Sequence, residues 1–83
     1  MMDRDVANLT LKMVETRNAV RQLLGDRYES HVTLARSVLR GVAKESGLNI
    51  SVAALKLYKE LSDAGCEPTI IIAALVDEAE EPR

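Results

Sequence analysis

Eighty-three residues carry 11 Lys/Arg against 13 Asp/Glu, a net charge of −2, with no Phe or Trp and only Tyr28 and Tyr58 as aromatics. A chain of this length makes one domain, 1–83, and buries only about 60–65% of its unfolded surface, so marginal stability relieved by a partner is expected. The charge excludes a strongly basic nucleic-acid binder, and no run approaches the roughly 20 apolar residues of a membrane span.

The first predicted helix covers residues 4–24. Val6, Leu9, Met13, Val20, Leu23 and Leu24 fall on one stripe at 3.6-residue spacing. Asp3 or Asp5 can cap its start, and Gly25 suits the left-handed position past its end. Ala7, Leu11 and Val14 form a second apolar strip, so the amino-terminal half is expected to touch something on two sides.

Residues 27–46 read as the second helix. Asp26 and Glu29 are spaced as a capping box, and Tyr28, Val32, Ala35, Val38, Leu39 and Val42 form its apolar stripe. Arg36, Arg40 and Lys44 line the opposite face, where solvation is the default for an amphipathic helix. Gly47 closes the helix, with Leu48 placed for the apolar contact of a glycine cap.

A third helix is expected over 52–64. Ser51 is its predicted N-cap, Ile50 and Leu55 are spaced as a hydrophobic staple, and Ala54, Leu55, Tyr58 and Leu61 form the expected buried face. Gly65 stops it, with Leu61 and Cys66 at the positions that meet across a Schellman turn. Pro68 then fits the first turn of a fourth helix over 68–79. Ile70, Ile71 and Ile72 alone could start a strand, but a strand without a partner is disfavoured and Ala73-Ala74-Leu75 favours helix. The expected fold is therefore all-α, a small four-helix domain ending in a helical hairpin. Seven consecutive apolar residues, Ile70–Val76, leave the last helix no wet face, so one of its strips is expected at a protein–protein interface.

No constellation for catalysis, metal or cofactor emerges. His31 has no second ligand at metal spacing and reads as structural, Cys66 reads as a small apolar plug, and the glycines are isolated. The Asp77-Glu78-Ala79-Glu80-Glu81 run reads as a solvated helix end that opposes the macrodipole and frays. A DNA-reading helix-turn-helix is excluded, because Ile70–Val76 offers base edges no polar side chain. One cysteine and an amino terminus without an apolar leader core suit a cytoplasmic protein.

The stretch Ile50-Ser51-x3-Leu55-x-Leu57-x3-Leu61-x3-Gly65-Cys66-x-Pro68, followed by an apolar helix with Asp77 near its end, resembles the MOZART mitotic-spindle organizing proteins. Val38-Leu39-x2-Val42 is similar to that family's preceding helix. Ser51 stands where the family favours Asp, Thr69 where it favours Glu, and the first helix is longer than the family's amino terminus. The resemblance covers about half the chain. It implies a non-enzymatic adaptor that binds amino-terminal helices of gamma-tubulin complex components, with Leu55, Tyr58, Leu61, Ile71, Ala74 and Leu75 shared between hairpin core and partner groove. The apolar girth of the last helix adds Ile70 and Ile72 to the expected contact residues. The rival expectation is a structural or regulatory all-α protein, bacterial or phage, that homodimerises through its first or last helix.

Overall fold

The computed structural model describes the backbone of residues 2–81 and the side chains of 4–81. It is all-α: α1 (Met2–Leu24), a single 3₁₀ turn (Gly25–Arg27), α2 (Tyr28–Ser46), α3 (Ile50–Asp63) and α4 (Thr69–Glu80), with no strand among the described residues. None of these helices is long and apolar enough to cross a membrane.

The helix ends follow local chemistry, partly with other residues than expected. Gly47 (φ 65°) and Gly65 (φ 79°) adopt the left-handed conformation that a Cβ penalises. Behind Gly65 the Schellman bonds form, with Cys66 N–H donating to the Leu61 carbonyl at 2.9 Å and Gly65 N–H to that of Ser62 at 3.1 Å. Asn49, not Ser51, caps α3: its side-chain oxygen accepts the Val52 N–H at 2.9 Å, so the helix starts at Ile50. Ser51 is thereby drawn into the first turn. Pro68 takes the cap position of α4 rather than the first helical one. The Asp26–Glu29 capping box does not form, because the 3₁₀ turn carries the chain into α2 without a side-chain cap. Asp5 lies inside α1 and caps nothing, while the cap expected from Asp3 falls outside the described side chains.

The core forms around α4. This last helix packs against α1, α2 and α3, while α1 touches α2 only lightly and α1 and α3 do not meet. Its Ile71, Ala73 and Ala74 are buried in one cluster with Val20, Tyr28, Val32, Ala35 and Leu39, and Val76 is buried beside a cavity that Asn49 and Ile50 also line. On α3 the small Ala53 and Ala54 are buried, and Leu57 and Leu61 pack on the core beside them. A helix apolar all round is thus accounted for mostly by being central. The expected stripe of α1 is covered only in part. Val20 is buried and Leu24 half-buried, but Leu23 at the carboxy end is 81% exposed, and Val6 and Leu9 are exposed at the other.

Candidate functional site

Three helices around one leave a gap where two neighbours do not meet. Between α1 and α3 an apolar groove of about 360 Å³ opens onto α4. Leu9 and Met13 form the α1 wall, Ser51, Ala54, Leu55 and Tyr58 the α3 wall, and Ile71, Ile72 and Leu75 the floor. On α3, Ala53 and Ala54 are buried and Leu57 and Leu61 pack on the core, while Leu55 turns outward. A second cavity of about 680 Å³ shares Met13, Ser51 and Leu75 with the first and continues past Asn49 and Ile50 to the last turn of α4. The two adjoin at these shared residues. Leu9 and Leu55 stand 60% and 70% exposed on opposite rims of the groove.

Of the contact residues expected from the sequence, Leu55, Tyr58, Ile71, Ile72 and Leu75 come together in this groove. Three do not. Leu61 packs toward the core, Ala74 is fully buried beneath α4's neighbours, and Ile70 turns to a small recess with Val20, Leu24 and His31. The α1 wall was missed as site, although the two apolar strips of its amino-terminal half were the signal for it.

The opposite flank of α4 is polar and closed. Asp77, expected at a solvated and frayed end, is instead held from two helices. Arg17 Nη1 donates to its Oδ1 at 2.7 Å and the Tyr28 hydroxyl to its Oδ2 at 2.6 Å. Arg17 also pairs with Glu80 at 2.8 Å, and Arg21 lies 5.1 Å over the Tyr28 ring. Burial and then the Asp77 hydrogen bond push the Tyr28 hydroxyl up to about 12. Burial alone would lower the Arg17 guanidinium, but its hydrogen bonds to Asp77 and Glu80 outweigh that and raise it. Arg17 occupies the position where the α1 stripe skips from Met13 to Val20, so a buried cation there is the polar continuation of the apolar pattern.

One turn further, Arg36 and Arg40 both reach Glu78 and Glu81, with Arg36 Nε donating to Glu78 Oε1 at 2.9 Å. These arginines are therefore not merely a solvated face, and Lys44 alone of that row stays exposed without such a pairing. The hydrogen bonds from Arg40 and then Arg36 hold the Glu78 carboxyl below its usual range. Every buried side-chain N or O atom among the described residues has a hydrogen-bond partner.

His31 and Cys66 are both exposed, which corrects the readings of a satisfied structural histidine and a buried plug. Among the described residues no three His, Cys, Asp or Glu converge as a metal would need. The groove offers mainly apolar surface, with the hydroxyl-bearing residues Ser51 and Tyr58 on its α3 wall. Compared with protein-family models, curated proteins and solved structures, the chain finds no match.

Proposed function

We propose that this protein is a non-enzymatic helix-binding adaptor, cytoplasmic in setting, whose groove between α1 and α3 receives an apolar helix. The observation that carries this reading is the open seam itself: two helices flank α4 without meeting, and the gap between them is lined by aliphatic side chains. Partner helices that dock in such grooves do so through anchors spaced i, i+3, i+4 and i+7. Covering the exposed part of Leu9 and Leu55 would return about 1–2 kcal/mol each, so the groove gains from being filled.

The resemblance of residues 50–77 to the MOZART proteins makes the amino-terminal helices of gamma-tubulin complex components the foreign helix to test first, and microtubule organisation the process. Among the residues that carry the resemblance, Leu55 lines the groove, while Leu57 and Leu61 pack on the core of the hairpin. Calorimetric titration of the chain with such a helical region should give saturable binding that Leu55→Lys removes. Binding that L55K leaves unchanged would place the contact elsewhere and end the groove reading.

A further inference from the structure

We infer that in the free protein the groove is filled by a second copy of this chain, each copy laying the amino-terminal half of α1 into the other's groove. This rests on the groove being a helix site, as proposed above, and names its resident occupant. Every residue from Arg4 to Lys12 is exposed although helical, and Val6 and Leu9 are each 60% exposed. They continue a stripe whose later members, Met13, Val20 and Leu24, are buried or half-buried. The apolar pattern of α1 outruns the body that covers it by more than two turns.

Beside this arm lies a groove that lacks a helix, and Leu9 and Met13 belong to both. Donor and acceptor therefore share one edge. An antiparallel crossing of two α1 helices about a twofold axis near Leu9 and Met13 sets each arm over the other copy's groove, and the arrangement closes at two chains. The areas agree. A standard interface removes about 800 Å² per partner, of which roughly 60% is apolar. Val6, Leu9 and Leu55 alone expose on the order of 300 Å² of apolar surface, and the groove floor adds to it. A foreign helix in the groove would leave the arm's own stripe bare beyond Leu9, whereas a second copy covers arm and groove together.

Sedimentation equilibrium of the full chain, with reductant present because Cys66 is exposed, tests the pairing. The expected mass is twice the 9.1 kDa of one chain. L9K and L55K, on the two sides of the same contact, should each weaken the dimer by about a hundredfold, since a twofold pair feels each change twice. Far-UV circular dichroism should be unchanged, because both side chains are exposed in the single chain. L34K, on the exposed face of α2, should leave the dimer intact. A wild type that stays monomeric across the concentration range overturns the inference, as does a dimer that L34K breaks and L9K and L55K do not. A monomer that still binds an apolar helix in an L55K-sensitive way overturns self-pairing alone, whereas a monomer that binds none overturns the helix-binding reading as well.

Discussion

The two flanks of α4 solve the same problem in opposite ways. On the flank facing α2 and the later part of α1, carboxylates on α4 meet arginines and a tyrosine from two other helices, and every buried polar atom there is satisfied. Aliphatic side chains dominate the flank facing α3 and the earlier part of α1, and it is left open. A buried ion pair needs defined partners at defined distances, so the polar flank specifies register and orientation. An apolar groove is far less particular about what fills it. The closed flank thus positions the helices, and the open flank leaves apolar surface uncovered between α1 and α3.

The largest effect should come from breaking the closed flank. Asp77→Ala leaves buried Arg17 with Glu80 alone and the Tyr28 hydroxyl without its acceptor, and should cost about 2–4 kcal/mol in a urea melt. Adding Arg17→Met should restore part of that loss, because the half-paired buried charge is then gone. If the single and double variants are equally unstable, the pair does not carry the orientation of α1 on α4.

Next is the turn that sets the α3 wall. Gly65→Val should destabilise by roughly 1–2 kcal/mol, for torsional reasons alone, since no atom lies within 4 Å of a Cβ built there. Gly41→Ala, mid-helix and equally uncrowded, should stabilise by up to about 1 kcal/mol. The reverse order would mean that the left-handed turn does not set the hairpin.

The closed flank should also carry a pH dependence with an acid and an alkaline limb. Glu78 is held below its ordinary 4.5 by Arg40 and Arg36, so its contribution is full above 4.5 and is lost as pH falls through the lower folded value. For Tyr28 the sign is opposite: raised from 10.0 to about 12, it contributes fully below 10 and loses that contribution as pH rises toward 12. Glu78→Gln should flatten the acid limb of the stability curve and leave the alkaline limb alone. Absorbance titration near 295 nm of a Tyr58→Phe variant should show Tyr28 ionising close to 12, and a transition near 10 would remove the buried hydrogen bond to Asp77.

The smallest effect belongs to the open flank. Leu55→Ser should change the stability of the single chain by less than about 0.5 kcal/mol, because the side chain is 70% exposed there. A loss of several kcal/mol in the isolated chain would show that α3 buries Leu55 after all.

Helix identities and the glycine turns were readable because caps and left-handed glycines are local: Gly47-Leu48 and Gly65-Cys66 carry their own geometry. Boundaries slipped where two residues compete for one role, as Asn49 did with Ser51. Periodicity shows which face of a helix is apolar but not which neighbour covers it. Hence α4 read as a sticky end when it is mostly the centre, with only Ile71, Ile72 and Leu75 flooring the groove. Leu55 lies there as an expected contact, while the spacing places Leu9, on the facing wall, only on the α1 stripe. The pairing of Arg17 with Asp77 spans sixty positions, and no local pattern names such a partner.

That the helix shared by all the others is also the last along the chain has a kinetic consequence. Until Thr69–Glu80 has been made, α1 has only its slight contact with α2, although α2 and α3 can already pack on each other. Closing the Arg17–Asp77 contact brings together residues separated by sixty positions, an entropic cost that precedes any packing gain. Of the earlier helices, α2 and α3 can therefore pair first, and α1 joins the core when α4 arrives.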